Sequence, residues 1–62
     1  MFCDMYLHLE VAVVTLNRPH ADNAITTELA ASLIEVLETI AARSSVRVTI
    51  LTGAGDRAFS VG

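Results

Sequence analysis

The sequence predicts an α/β chain in which one helix crosses between two strands. Three observations carry that reading. The run Val11-Ala12-Val13-Val14-Thr15-Leu16 is β-branched and nearly all apolar, as a covered strand should be. Leu29, Leu33, Val36, Leu37 and Ile40 then recur at helical spacing and form one apolar stripe. A second β-branched run, Val46 to Thr52, breaks on Gly53-Ala54-Gly55. Strand, helix and strand in that order make a βαβ unit, with parallel strands and a right-handed crossover expected.

Taken in order, the chain opens with a strand over about 5–9. Leu7 and Leu9 share one face, and Tyr6, His8 and Glu10 the other. The second strand follows at 11–16. No Gly, Asn or Pro separates the two, so either one long strand runs through or the pair turns at Glu10 without the usual turn chemistry. Pro19 ends the second strand. Asp22 and Asn23 favour turns, because their side chains bond nearby backbone.

Thr26 or Thr27 caps a helix over about 27–43, and Glu28 suits the positive end of its dipole. Leu33 and Leu37 should face the strands. Arg43 closes the last turn with the favourable sign, and Glu35 and Glu38 read as a solvated pair. The last strand covers 46–52, and its apolar residues up to Leu51 predict burial on both faces. Residues 1–62 form part of a single domain with no internal boundary.

Composition narrows the function. Sixty-two residues with 53% hydrophobic content are apolar for so small a chain. A chain of this length buries only about 60% of the surface its unfolded form exposes. Alone it should oligomerise, aggregate or stay partly unfolded. The net charge is −3 with four arginines and no lysine, so no basic stripe points to nucleic acid. No apolar run reaches the roughly 20 residues of a membrane span. The start carries Asp4 and Glu10 and no basic segment, unlike a signal peptide, so cytoplasm is the expectation. Cys3 is the sole cysteine and reads as a terminal thiol of no consequence. His8 reads as a partly exposed strand residue.

If the strands are parallel, the loops after Leu16 and after Thr52 lie at one end, where ligands of such units bind. Arg18 and Arg57 then form a local positive patch, unless each is an ordinary surface charge. Gly53-Ala54-Gly55 is no nucleotide fingerprint, since neither phosphate-loop spacing nor a helix follows it.

Thr15-Leu16-Asn17-Arg18-Pro19, with Asn23-Ala24 after it, resembles the crotonase superfamily, the enoyl-CoA hydratase/isomerase family. Val46-Arg47, Ile50-Leu51-Thr52-Gly53-Ala54-Gly55 and Arg57-Ala58-Phe59-Ser60-Val61-Gly62 agree with it in order and spacing. The likeness runs from about Met5 to the end and covers the N-terminal portion of such proteins. It implies crotonase-like ββα units, usually in trimers or dimers of trimers. It implies lyase or isomerase chemistry on acyl-CoA thioesters, as in fatty acid metabolism. Two backbone N–H groups form an oxyanion hole for the developing enolate. No separate cofactor and no metal are implied; coenzyme A enters as part of the substrate.

By position, His20, Asp22 and Ala24 fall where the family's first loop meets coenzyme A. Arg57 falls where a basic residue meets the 3′-phosphate. Val61 and Gly62 fall on the wall of the pantetheine channel. The resemblance puts the first oxyanion donor on the residue after Gly62 and the acid–base glutamates further on, so no catalytic residue lies in these 62. The chain departs from the family pattern at several places. His20 stands where lysine is common, Asp22 where an acid would repel phosphate, and Val61 where alanine is expected. The first hairpin lacks its glycine turn. The alternative reading is a non-catalytic, truncated crotonase-like chain that serves as a binding or assembly module.

Overall fold

A computed structural model describes residues 2–62. Three strands and two helices follow in the order β1 (Cys3–His8), β2 (Val11–Leu16), a 3-10 turn α1 (Pro19–Ala21), the α-helix α2 (Thr27–Ala41) and β3 (Val48–Gly53). The sheet order is β1-β2-β3. β1 pairs β2 antiparallel, and β2 pairs β3 parallel. The predicted ββα arrangement with its βαβ unit is therefore present.

The open question over the first two strands resolves as a hairpin. His8 pairs with Val11, leaving Leu9 and Glu10 as a two-residue turn. Leu9 takes φ 56, the backbone region glycine enters most easily. It is spent on the turn and stands exposed, not beside Leu7 on the inner face. Glu10 compensates by tying the turn to the third strand. Its carbonyl accepts from the N–H groups of Arg47 and Val48 at 2.8 and 3.3 Å. Its carboxylate lies 3.5 Å from the Arg47 Nε.

Alternation places Cys3, Met5 and Leu7 of β1 with Ala12, Val14 and Leu16 of β2 on one face of the sheet. α2 covers that face. Thr26 is its N-cap, with extended backbone and Oγ1 accepting from the Leu29 N–H at 3.1 Å. Leu29, Val36 and Ile40 are buried, and Leu33 packs beside them. At about 100° per residue these four fall within about 60° of arc, while Leu37 lies about 80° from Leu29. Leu37 is accordingly 42% exposed, which corrects its expected place against the strands. The helix stops at Ala41, with Ala42 as cap, so Arg43 falls outside the last turn.

Two further expectations change. Cys3 is fully buried in the core, opposite Leu16. Burial pushes its thiol pKa up, the Asp4 charge pushes the same way, and a hydrogen bond with Ser32 works against them. It is a packing residue, not a terminal thiol of no consequence. β3 is not covered on both faces. Val48, Ile50 and Leu51 are 52%, 48% and 45% exposed, because α2 packs over β1 and β2. No helix among the described residues is long and apolar enough to cross a membrane.

The helix face is checked by two truncations. Leu29→Ala should cost about 2–5 kcal/mol, as for a fully buried leucine, and Leu37→Ala under half as much. Urea unfolding of both variants measures this. Equal losses would place Leu37 in the core after all.

Candidate functional site

Parallel pairing of β2 and β3 brings the two polar loops to one end of the sheet. The Ala54 N–H donates to the Leu16 carbonyl at 2.7 Å, directly joining the strand ends. The first loop then tightens. Its 3-10 turn starts at Pro19, and Asp22 and Asn23 follow at φ 52 and 55. Such left-handed backbone is tolerated best by Gly, Asn and Asp.

Asn23 is completely buried and bonds in four directions. Its Oδ1 accepts from the Arg18 N–H at 2.8 Å. Its Nδ2 donates to the carbonyls of Ala54 and Ala58 at 3.0 and 3.1 Å. Its own carbonyl accepts from the Ser60 hydroxyl at 2.7 Å. That hydroxyl oxygen in turn accepts from the Gly62 N–H at 3.1 Å. Two backbone bonds complete the seam: Val61 N–H to the Asp22 carbonyl at 3.1 Å, and Ile25 N–H to the Gly62 carbonyl at 3.0 Å. Gly53 is required here, since a Cβ on it would lie 2.7 Å from Asn23 Nδ2 and closer still to the Phe59 carbonyl.

The residues expected at the site are thereby gathered along one seam. His20 sits exposed on the 3-10 turn. Asp22 and Ala24 flank Asn23. Val61 and Gly62 lie against the first loop, Val61 largely exposed and Gly62 at φ 93 with open space beside it. Arg57 reaches back to Asp22, with Nε 3.1 Å from Oδ1. The approach is a charge contact only: the N–H is not aimed at the oxygen, and the buried Oδ1 has no hydrogen bond. Pro19, Asp22, Gly55, Asp56 and Arg57 line a small cleft of about 60 Å³ between the loops.

Arg18 does not join Arg57 in a positive patch. Its NH1 donates to the Ala24 carbonyl at 3.2 Å, and its guanidinium lies 5.9 Å from the Phe2 ring centre. It is a structural residue of the first loop. A larger cavity, about 390 Å³, lies between β1 and α2, lined by Cys3, Met5, Ser32 and Val36, and shares no residue with the loops. No group of three or more His, Cys, Asp or Glu among the described residues is placed to hold a metal ion.

Sequence reasoning found the two loops and missed the clamp, reading Asn23 as a turn former bonded to nearby backbone. Only its partners, 31 and 35 residues away, reveal the role. Asn23→Asp keeps the shape and removes the Nδ2 donors, turning a carboxylate toward two carbonyls. The loss should reach about 3 kcal/mol or more, at 1–3 for each stranded group. Amide exchange at Val61 and Gly62 should rise before exchange in β1. Unchanged protection there would show that the seam does not depend on Asn23.

Comparison with known proteins agrees with this architecture. Residues 8–62 match the enoyl-CoA hydratase/isomerase family. The (E)-benzylidenesuccinyl-CoA hydratase of Thauera aromatica is 44% identical over 52 residues, covering 84% of this chain and 20% of that protein. The crystal structure of an enoyl-CoA hydratase from Bacillus anthracis superposes with a TM-score of 0.92 at 33% identity, over 100% of this chain and 24% of that one. A monofunctional enoyl-CoA isomerase from M. smegmatis superposes with a TM-score of 0.91 at 44% identity, over 98% of this chain and 29% of that one. The chain thus spans 20% of the length of the first curated relatives it matches. Family match, sequence identity and superposition agree, and the chain belongs to the enoyl-CoA hydratase/isomerase family of the crotonase superfamily, as its N-terminal portion.

Proposed function

We propose that the protein acts on acyl-CoA thioesters, stabilising an enolate in an oxyanion hole, and that these 62 residues supply one wall of that site without turnover of their own. The observation that carries this is the orientation of the Gly62 carbonyl. It turns inward to the Ile25 N–H. A trans peptide places the next N–H on the opposite side. In a chain that continues past Gly62, that donor points away from the first loop, unspent on the seam. A fixed backbone donor aimed at developing charge contributes about 3 kcal/mol to a transition state.

The remaining assignments follow the same reading. Val61 and Gly62 border the pantetheine arm. His20, Asp22 and Ala24 border the nucleotide end, and Arg57 meets the 3′-phosphate. Guanidinium and phosphate match as parallel donors and acceptors. Coenzyme A is part of the substrate, and no separate cofactor or metal is required. Homo-oligomers, a trimer or dimer of trimers, complete the picture, with cytoplasm as the location. Hydration of a 2-enoyl-CoA by the full-length protein, followed through loss of the conjugated absorbance, tests the reading. Absence of that and of double-bond isomerisation would overturn it.

The second reading, a non-catalytic binding or assembly module, has one observation in its favour. The exposed apolar residues of β3, Val48, Ile50 and Leu51, ask for a cover. Native mass separates the two: a module co-purifies at fixed stoichiometry with a different chain, whereas the enzyme assembles with itself.

Arg57→Ala is the sharper check on the ligand map. It should raise KM for acyl-CoA and leave kcat nearly unchanged, because a contact remote from the thioester acts equally on ground and transition states. The difference should shrink with added salt. A fall in kcat with constant KM would move Arg57 out of the phosphate subsite.

A further inference from the structure

We propose that Asp22 is a built-in competitor for Arg57, a carboxylate that occupies the guanidinium until a ligand phosphate displaces it. The inference rests on the proposed phosphate subsite and adds its regulation. Three observations lead to it. Arg57 Nε lies 3.1 Å from Asp22 Oδ1. The Arg57 side chain is 78% exposed and Asp22 only 28%, so the arginine is the partner able to leave. The backbone on both sides of Asp22 is pinned, its N–H to the Pro19 carbonyl at 3.1 Å and its carbonyl to the Val61 N–H at 3.1 Å. The acid is thus a fixed post and the base a swinging arm.

The geometry makes the pair displaceable. Oδ1 is buried and receives no aligned hydrogen bond, so the contact is held by charge alone. A guanidinium carries five N–H donors, and a phosphate can take two of them in parallel. A phosphate monoester also carries close to two negative charges at neutral pH, against one on the carboxylate. The ligand therefore wins on both charge and alignment, while a singly charged or unphosphorylated ligand gains little over Asp22. Asp56 lines the same cleft as a second acid, so an anion gains there only through a close match to the guanidinium. Asp22 in this role lowers affinity for any ligand that takes Arg57 and leaves unaffected one that does not.

The test is a double-mutant cycle on the full chain, titrating coenzyme A and its 3′-dephospho form at low salt. Asp22→Asn keeps the size and the left-handed backbone, which asparagine also accepts. It should tighten coenzyme A about two- to fivefold, the range of an exposed ion pair. Arg57→Ala should weaken coenzyme A and largely spare the dephospho form. In the Arg57→Ala background, Asp22→Asn should change nothing. If Arg57→Ala weakens binding but Asp22→Asn leaves or lowers affinity, Asp22 positions Arg57 and the competitor is overturned while the subsite stands. If Asp22→Asn tightens binding equally without Arg57, the effect is general repulsion, which also overturns it. If Arg57→Ala changes neither ligand, or the parent binds neither, the subsite falls and the inference with it.

Discussion

The fully buried side chain of Asn23 is the constraint on which the site end of this chain depends. The amide must accept from one backbone N–H and donate to two carbonyls, while its backbone sits at φ 55. Few residues meet all of these demands. Aspartate tolerates the backbone but has no donor, glycine tolerates it but has no side chain, and glutamine is a carbon longer. The cost of failure is high, because each buried polar group left unpaired costs about 1–3 kcal/mol. Gly53 follows from the same constraint, since its missing Cβ is what lets the amide approach the end of β3. A single side chain thereby joins the loop after β2 to the loop after β3 and sets the course of residues 58–62.

The clamp also sorts the charges. Drawing the first loop inward turns Arg18 onto the Ala24 carbonyl and the Phe2 ring, where it supports structure. It leaves Arg57 on the outer side of the seam beside Asp22. Two arginines that look alike in the sequence thus take different parts, one bonded within the first loop and one paired to Asp22. The local balance at the cleft is acidic, Asp22 and Asp56 against one arginine.

How much was legible depended on how far each property reaches along the chain. Strand and helix identity come from local pattern, and the runs at Val11–Leu16 and Leu29–Ile40 were read correctly. The Thr26 cap was one of two candidates, because the choice rests on a single turn of backbone. Leu37 fell outside the core since an apolar stripe wider than the contact always leaves a flank. Cys3 was misjudged because a residue near a terminus is buried only if a partner strand covers it, and Leu16 lies far away in sequence. β3 reads as a buried strand by composition, yet burial belongs to the layers around it, and α2 crosses over the other two strands. The family motifs picked out residues that the fold gathers along the seam, whereas the Asp22–Arg57 contact needed coordinates: the two residues lie 35 positions apart by number, and nothing local to either predicts the other.

The placement of β3 links the site to the rest of the molecule in one more way. β2 is paired on both edges and covered by the helix, so the loop it carries is anchored in the best-packed part of the chain. β3 has one paired edge here and exposed side chains, so it holds by its ladder to β2, by Glu10 at its start and by the Asn23 seam at its end. Local opening follows the distribution of buried contacts. β3 and the segment up to Gly62 therefore form the part of the chain whose stability is supplied mostly by hydrogen bonds and least by apolar burial. Anything that covers Val48, Ile50 and Leu51 steadies the strand from which the 54–62 loop emerges, and through it the direction of the Gly62 carbonyl. Cover of the third strand and order at the site are in this fold one physical problem.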